Sequence, residues 1–348
     1  MSALKPYSCL QPLASIYEAI TGLRERAYQV GLCNEYRAKL PVICVGNIIA
    51  GGSGKTSFAA YLAQGLLARG HRPVILSRGY KGQHKKPHRV RETDTVYEVG
   101  DEALMNFSAL PREIPIVVSQ ERVAGAQYIE QQKFGNVIIL DDGYQHYALA
   151  RDVNLLMVDL SSARALENWQ QGRLLPAGYF RETKKHGVKK ADAILLLNKN
   201  DALNLAEPSK YLGEIDKPVF CIGYGSARLE DVHSGEVKPL TSLLNTEVSV
   251  ACALADPQSF EDSLSKFGAQ IVKRYIYPDH HYYTQNDWDR ISVRPPVIVT
   301  EKDAIKLGKY INREALCFKL AREIAFKVEA HTSQFWQMIE LKINKKSA

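Results

Sequence analysis

The sequence lacks closely spaced cysteine pairs and long apolar segments. Its six cysteines are scattered, and none forms the C-x-x-C pair that is typical of zinc and redox sites. We therefore expect a reduced compartment, with neither a structural zinc nor a disulfide framework. No uninterrupted apolar run approaches the roughly 20 residues that a membrane-spanning helix needs. These absences argue against a secreted disulfide scaffold and against an integral membrane protein.

A signal-peptide pattern and a strong charge excess are also missing. The N-terminal segment has no basic region followed by an apolar run and a small-residue cleavage site. The 45 Lys and Arg residues exceed the 38 Asp and Glu residues by 7. This surplus is too small to indicate nucleic-acid binding, but it suits an anionic substrate or a membrane surface. We expect a cytoplasmic protein without a nucleic-acid partner.

What the sequence does have is a regular alternation of apolar strands and helices. A buried strand, "LPVICVGN", is followed by a helix, "SFAAYLAQGLLARG". Further short apolar runs are "RPVILSRGY", "NVIILDDG", "VNLLMVDL" and "ADAILLLNK". This order predicts an α/β/α sandwich of the P-loop NTPase type, with a mostly parallel sheet and helices on both faces. Functional loops should lie at the carboxyl ends of the strands.

The texture of the chain suggests four segments. Residues 1–35 contain an amphipathic helix, which either packs on the core or lies on a membrane interface. Residues 36–224 form the nucleotide-binding unit. Residues 225–247 are polar and hairpin-like and are predicted to be a β linker, and residues 248–348 form a smaller C-terminal α/β domain.

The segment "GNIIAGGSGKTS" predicts a phosphate-binding loop, because it lies between a buried strand and a helix. Ile49 stands where the usual pattern has its first glycine. Lys55 is expected to reach the β- and γ-phosphates, and the Thr56 hydroxyl to bind magnesium. The nucleotide-binding residues are predicted to be Ile49, Ala50, Gly51, Gly52, Ser53, Gly54, Lys55, Thr56 and Ser57.

Two acidic pairs are candidate partners of this loop. "NVIILDDGYQH" delivers Asp141 and Asp142 to a strand end, where a carboxylate can hold a metal or orient its water. "EVGDEALM" places Asp101 and Glu102 before a helix. The second pair is read equally well as a helix N-terminal cap or as a general base beside a metal-associated carboxylate.

Two further motifs leave alternatives open. In "YPDHHYYT", His280 and His281 could bind metal, orient a distant carboxylate or lie in the core. "ILLLNKND" contains Asn198-Lys199-Asn200-Asp201, the N-K-x-D shape that reads guanine in GTPases. A GTPase of the metal-insertion or targeting type is therefore the alternative function, although the D-x-x-G switch is missing. A nucleotide-binding module without catalysis is a third.

The combination is more specific than any single motif. "VGNIIAGGSGKTS", "LSRGYKG", "VGDEALM", "DDGYQHYALARD", "GRLLPAG", "YPDHHYYT" and "TEKDAIKL" occur in this order over residues 45–307. Together they resemble the tetraacyldisaccharide 4'-kinase family of the lipid A pathway in Gram-negative bacteria. That family has the same shifted glycines in its phosphate loop.

The resemblance implies an ATP- and Mg²⁺-dependent kinase. It would transfer the γ-phosphate to the 4'-hydroxyl of tetraacyldisaccharide 1-phosphate and so form lipid IVA. Asp101 would accept the hydroxyl proton, assisted by His280, and Lys55 would bind the phosphates. The metal residues implied are Thr56, Asp141, Asp142 and Glu102.

The resemblance also implies where the glycolipid binds. Its polar contacts are expected from Asn47, Arg78, Arg122, Gln145, His146 and Arg173. The enzyme would bind peripherally, as a monomer, to the cytoplasmic face of the inner membrane. The family usually reads P-L-R-E after L-L-P-A-G, whereas this chain has Tyr179-Phe180-Arg181-Glu182.

Overall fold

The computed structural model describes residues 8–51, 54–199, 207–213, 215–254, 256–291, 295–311 and 315–347. Two residues of the predicted phosphate loop, Gly52 and Ser53, lie outside these ranges, as do Asn200 and Asp201 of the guanine-reading motif. Within the described part of the chain, no helix is long and apolar enough to cross a membrane.

The N-terminal half contains seven strands and eight helices among its described residues. The strands are β1 (Val42–Gly46), β2 (Pro73–Ser77), β3 (His88–Arg89), β4 (Ile116–Val118), β5 (Val137–Asp141), β6 (Val153–Asp159) and β7 (Ala193–Leu197). The helices are α1 (Gln11–Gln29), α2 (Lys55–Leu67), α3 (Val96–Val99), α4 (Asp101–Ala109), α5 (Arg122–Gln132), α6 (Ala163–Gln171), α7 (Lys184–Lys190) and α8 (Ser209–Leu212).

The C-terminal half continues with six strands and four helices among its described residues. The strands are β8 (Val219–Asp231), β9 (Val237–Lys238), β10 (Glu247–Cys252), β11 (Gln270–Ile276), β12 (Val297–Thr300) and β13 (Cys317–Phe326). The helices are α9 (Pro257–Lys266), α10 (Gln285–Arg290), α11 (Glu301–Leu307) and α12 (Glu329–Ser347). Short 3₁₀ turns cover Ser8–Leu10 and Leu240–Leu243.

All these strands belong to one sheet of mostly parallel strands, as predicted. Its order is β11-β10-β12-β13-β8-β7-β6-β1-β5-β2-β4-β3, with β9 paired to β8. Only the pairs β8–β13, β3–β4 and β8–β9 are antiparallel. The fully buried, β-branched sequences of β1 and β5 explain why both lie inside the sheet, with helices on either face.

The sheet order brings the predicted site elements together. β1 lies between β5 and β6 and pairs in parallel with both, so that Val45 is opposite Asp141. The loop after β1 and the acidic pair after β5 therefore emerge at the same edge of the sheet. This edge is the carboxyl end of the strands, where parallel sheets bind their ligands.

The two halves are joined by an antiparallel pair in the middle of the sheet. The long strand β8 pairs in parallel with β7 at its start and antiparallel with β13 along most of its length. Its end forms a hairpin with β9. This hairpin lies inside the predicted linker at residues 225–247, while the division of the chain into separate domains stays a prediction.

The last helix packs on the N-terminal half. Phe335 and Ile339 of α12 are fully buried in the same apolar cluster as Ile43 of β1 and Phe58 of α2. The cluster covers one face of the sheet. The chain thus returns, after completing the C-terminal half, to cover the strand that precedes the phosphate loop.

Candidate active site

The phosphate loop ends at a glycine that its geometry requires. Gly54 has φ 75° and directly precedes α2, which begins at Lys55. A Cβ at Gly54 would lie 2.8 Å from Leu197 Cδ2, so backbone conformation and packing both favour glycine. The N-terminus of α2, with the positive end of the helix dipole, points into the loop.

Ile49 stands where the usual pattern has its first glycine, and the backbone around it pairs with a neighbouring extended segment. Ile49 makes an antiparallel bridge with Phe180, and the Ala50 N–H donates to the Tyr179 carbonyl at 2.8 Å. Arg181 N–H donates to the Ile48 carbonyl at 2.7 Å. A β-branched residue suits this extended segment. The Ala50 N–H is therefore engaged by protein, and its role in nucleotide binding stays a prediction.

Lys55 and three acidic groups surround the start of α2. Lys55 Nζ lies 3.6 Å from Asp142 Oδ1, and Thr56 Oγ1 donates to Asp141 Oδ2 at 3.1 Å. Asp141 is buried, and its Oδ1 accepts no hydrogen bond from the described residues. Burial, and next the charges of Glu102 and Asp142, raise the pKa of Asp141 to about 7. A bound cation would favour the ionised form of this carboxyl group.

The donor set fits a hard divalent cation. It combines one hydroxyl, Thr56, with carboxylate oxygens from Asp141, Asp142 and Glu102, and all four residues line the same cavity. Such oxygen donors are those that Mg²⁺ prefers. The predicted metal residues therefore line one cavity, and Thr56 and Asp141 are in direct contact.

Asp101 and His280, 179 positions apart in the chain, form a hydrogen-bonded pair. His280 Nδ1 lies 2.9 Å from Asp101 Oδ2, and the Tyr80 ring contacts the imidazole edge-on at 5.1 Å. Burial alone would raise the pKa of Asp101, but the hydrogen bond from His280 and the charge of Lys302 outweigh it and lower this pKa. Asp101 is thus an ionised acceptor.

His281 has a different role. Its Nε2 lies 3.1 Å from Asp287 Oδ2, and its ring stacks on Tyr277 at 4.7 Å. Asp287 also belongs to the capping box of α10. The structure therefore brings His280, rather than His281, to Asp101, and leaves His281 within the C-terminal half.

A cavity of about 690 Å³ connects these groups. It lies between the carboxyl edge of the N-terminal strands and the loops of the C-terminal half. The predicted residues that line it are Gly51, Gly54, Lys55, Thr56, Ser57, Arg78, Glu102, Asp141, Asp142 and His280. A cavity lined by phosphate-binding, acidic and imidazole groups suits a triphosphate and its acceptor.

The other predicted substrate residues do not line this cavity. Arg122 is buried and donates to the Gln120 carbonyl at 3.0 Å; burial, and then the charge of Arg78, lower its pKa to about 10. Burial and nearby arginines lower the pKa of His146 to about 4, so its imidazole is neutral. Both residues lie beside the Asp141–Asp142 strand end.

Gln145, Asn47 and Arg173 contact the segment around Phe180 or one another. Gln145 Nε2 donates to the Asn47 carbonyl at 2.8 Å and to Glu182 Oε1 at 2.9 Å. The Arg173 carbonyl accepts the Phe180 N–H at 3.0 Å. These contacts tie the three residues to the segment that pairs with Ile49.

The sequence interpretation missed two basic residues at the site. Arg181 Nη1 lies 3.5 Å from Asp142 Oδ1, and Lys302 Nζ lies 3.4 Å from Asp101 Oδ2. Arg181 belongs to a noted basic stretch, "RETKKHGVKK", and Lys302 to the quoted motif "TEKDAIKL". Only their neighbours in space give them a role.

Only Asn198 and Lys199 of the guanine-reading motif lie within the described residues. Lys199 Nζ pairs with Asp159 Oδ2 at 2.6 Å, and the Lys199 N–H donates to Ser161 Oγ at 2.9 Å. Asn200 and Asp201, which would complete the motif, lie outside the described residues.

Comparison with known proteins gives a consistent result. A sequence model of the family described as Tetraacyldisaccharide-1-P 4'-kinase matches residues 7–344. The chain is 34% identical over 298 residues to the tetraacyldisaccharide 4'-kinase of Psychromonas ingrahamii, covering 85% of each protein. It is 36% identical over 302 residues to that of Aeromonas hydrophila, covering 86% of this chain and 84% of the relative.

A solved structure shares both sequence and fold with the chain. It is described as the "apo" form of LpxK from Aquifex aeolicus in complex with ATP. The identity is 31%, the TM-score is 0.76, and the match covers 95% of this chain and 98% of the other. The GTPase alternative finds no support in these relatives.

Proposed function

This chain belongs to the tetraacyldisaccharide-1-phosphate 4'-kinase family, and we propose that it transfers the γ-phosphate of ATP to the 4'-hydroxyl of its glycolipid, forming lipid IVA. One observation carries the mechanism. His280, which holds the carboxylate of Asp101, lines the same cavity as Lys55 and Thr56 of the phosphate loop. The proton acceptor is thus hydrogen-bonded to a residue of the triphosphate cavity, although Asp101 itself is not among the lining residues.

Asp101 accepts the proton of the attacking hydroxyl. As the 4'-oxygen bonds to the γ-phosphorus, the bond to the β-phosphate oxygen breaks, ADP leaves, and the hydroxyl proton passes to the carboxylate. The loose transition state of phosphoryl transfer places little demand on base strength, so an ionised carboxylate of low pKa suffices. His280 keeps this carboxylate oriented.

Charge neutralisation is the larger part of catalysis here. Lys55 and the start of α2 would face the phosphates, and Lys55 and Arg181 both lie beside Asp142. Groups fixed in this way stabilise charge on the transferring phosphoryl group without having to reorganise. Thr56, Asp141, Asp142 and Glu102 would hold Mg²⁺, which when bound would supply positive charge that neutralises the phosphates.

The glycolipid head group would lie along the arginine-rich wall. Arg78 faces the cavity and offers a planar donor for a phosphate, while the buried Arg122 adds positive charge near it. Arg173, Gln145, Asn47 and neutral His146 extend this wall toward α1. This placement of the 1-phosphate is supported by charge and proximity.

We propose that α1 lies on the cytoplasmic face of the membrane. Its outward side exposes Leu13, Ile16, Ile20 and Leu23, with exposed fractions of 52%, 56%, 60% and 65%. Its inward side is docked on the enzyme, since Tyr17 Oη donates to the Arg181 carbonyl at 3.1 Å. An apolar stripe of this kind binds the acyl boundary of a bilayer. The acyl chains could then stay in the membrane while the sugar enters the site, and one monomer carries all these residues.

The proposal is tested by following the label of γ-³²P-ATP into tetraacyldisaccharide 1-phosphate in detergent micelles. We expect a phosphorylated product from the wild-type protein and almost none from Lys55→Ala. Transfer no greater than that of the Lys55→Ala control would reduce the chain to a nucleotide-binding module. A strong preference for GTP over ATP in equilibrium binding would instead restore the GTPase alternative.

A further inference from the structure

The ammonium group of Lys302 lies at the centre of the proposed proton-accepting site. Its Nζ is 3.4 Å from Asp101 Oδ2, 3.5 Å from Glu102 Oε1 and 3.3 Å from His280 Nε2. The side chain is only 16% exposed. The ammonium is the ordinary form of a lysine side chain at neutral pH, and here two carboxylates lie beside it.

Lys302 is held in place by a rigid element. It is the second residue of α11, whose N-terminus is capped by the Thr300 hydroxyl, which accepts the Asp303 N–H at 3.1 Å. The buried Asp303 accepts the Ala253 N–H at 3.1 Å and pairs with Lys306 at 2.8 Å. An exposed salt bridge of lysine usually contributes little to stability. Here the start of α11 fixes the position of Lys302, and the surrounding residues exclude much of the water.

The contact with His280 has a chemical consequence. A protonated lysine can only donate hydrogen bonds, so Nε2 of His280 must be the acceptor in its contact with Lys302. With Nε2 as an acceptor, the ring N–H is on Nδ1, which faces Asp101 Oδ2 at 2.9 Å. The ring donates to the carboxylate, and its other nitrogen is occupied. His280 Nδ1 and Lys302 Nζ both contact Asp101 through Oδ2, so we expect Oδ1 to be the atom that receives the hydroxyl proton.

We propose that Lys302 is a positioning residue for phosphotransfer: it selects the Nδ1–H tautomer of His280 and thereby fixes the Asp101 carboxylate toward the acceptor hydroxyl. This role rests on the proposed kinase activity. Because Lys302 belongs to the C-terminal half and Asp101 to the N-terminal half, the correct seating of the two halves becomes a condition for activity.

The tautomer is measured by long-range ¹H–¹⁵N NMR correlations of the full chain labelled with ¹⁵N-histidine. The His280 signals are assigned by their loss in His280→Gln. We expect the Nδ1–H pattern in the wild type and a shift toward the Nε2–H pattern, which is usual in water, in Lys302→Met. An Nε2–H pattern in the wild type, or an unchanged Nδ1–H pattern in Lys302→Met, overturns the proposal.

Kinetics in the micelle assay supply the second readout. Lys302→Met should lower kcat about 10- to 100-fold, as expected for misplaced reacting groups, with the KM for ATP nearly unchanged. Lys302→Arg, which keeps a cationic donor, should recover part of that loss. The matched control is Lys309→Met, because Lys309 is also on the C-terminal half but contacts the rings of Tyr97 and Tyr310.

The outcomes separate the two proposals. No transfer by the wild type contradicts the kinase function itself. Transfer by the wild type with equal losses in Lys302→Met and Lys309→Met, together with reduced thermal stability in both, makes Lys302 a structural residue and overturns the positioning role. A loss confined to Lys302→Met, with partial recovery in Lys302→Arg, supports that role.

Discussion

At the scale of single residues, two carboxylates of the site lie in opposite electrostatic surroundings. Asp101 faces His280 and Lys302, and its pKa is lowered although burial opposes this. Asp141 faces other acids in a dry environment, and its pKa is raised to about 7. When the surroundings of two titratable groups shift their pKa values in opposite directions, the two groups are suited to different roles. Asp101 is suited to receive a proton, and Asp141 to hold a cation.

The Asp101–His280 pair predicts a graded loss of turnover. Asp101→Asn should lower kcat about 10²- to 10⁴-fold, which is the usual contribution of a general base, while ATP affinity changes little. His280→Ala should lower kcat less, because the carboxylate remains. His281→Ala is the matched control and should leave kcat close to wild type. Steady-state kinetics and ATP titrations check this, and unchanged turnover in Asp101→Asn removes that residue from the mechanism.

The raised pKa of Asp141 predicts how stability depends on pH without metal. The Asp141 carboxyl has a pKa of about 3.9 in the unfolded chain and about 7 in the folded protein. At pH values between these two, the folded state binds the Asp141 proton more tightly than the unfolded state does. Its contribution to stability is therefore present below the unfolded pKa and is lost as pH rises toward 7, by a few kcal/mol (roughly 1.4 per pKa unit).

The measurement is urea unfolding in EDTA across this pH range. Relative to wild type, Asp141→Asn should lack this decline, because its side chain does not titrate. Adding Mg²⁺ and ATP should stabilise the wild type at pH 7 and should stabilise Asp141→Asn much less. Parallel pH profiles for the two proteins would contradict the assigned surroundings of Asp141.

At the scale of elements, α1 shows how one helix can serve two surfaces. The Tyr17 hydroxyl and Glu25, which pairs with His186 at 3.0 Å, attach it to the enzyme, while its apolar stripe faces outward. Amphipathic periodicity alone allowed either a core-packed or a membrane-bound helix. The exposed stripe favours the second interpretation, since a helix packed only on its own core would bury these side chains.

We predict that the apolar stripe of α1 drives membrane binding. Replacing Leu13, Ile16, Ile20 and Leu23 by Gln should strongly reduce co-sedimentation with anionic phospholipid vesicles, since each exposed side chain loses its apolar transfer energy. Thermal stability should change little because these side chains are exposed. Replacing exposed Val237 and Leu244, which lie in the linker, is the control. Equal co-sedimentation of stripe variant and wild type would rule out α1 as the anchor.

At the scale of the whole molecule, the C-terminal helix stabilises the half that binds nucleotide. Phe335, Trp336, Ile339 and Ile343 of α12 are buried against the N-terminal half. At about 2 kcal/mol for each buried side chain, their removal would cost roughly 8 kcal/mol, comparable with the whole stability of an ordinary domain. The N-terminal half is therefore completed by the last segment of the chain.

We accordingly predict that a chain ending at residue 328 fails to fold cooperatively. Circular dichroism should show a broad thermal transition or none, and ATP binding should be weak. Truncation after residue 344, which keeps all four buried side chains, is the control and should retain a cooperative transition. A sharp transition and normal ATP affinity in the shorter chain would show that α12 is not needed to complete the N-terminal half.

Much of the fold follows from local patterns. Repeated short runs of β-branched residues predict the parallel sheet, and "GGSGKT" between a strand and a helix predicts the phosphate loop. Both patterns can be recognised because they depend only on residues that are neighbours in sequence. The antiparallel junction of β8 and β13 and the return of α12 are not visible in such patterns. They depend on which apolar faces meet, and many pairings are compatible with the same periodicity.

The sequence by itself determined that this chain binds a triphosphate and which family it belongs to, since both are written in contiguous motifs around Lys55, Asp101 and Asp141. Only the tertiary structure decided that His280 rather than His281 meets Asp101, and that Lys302 lies against both. The physical reason is that hydrogen bonds and charges act over a few ångströms. Residues 179 positions apart reach that range only when the sheet and its two halves are assembled.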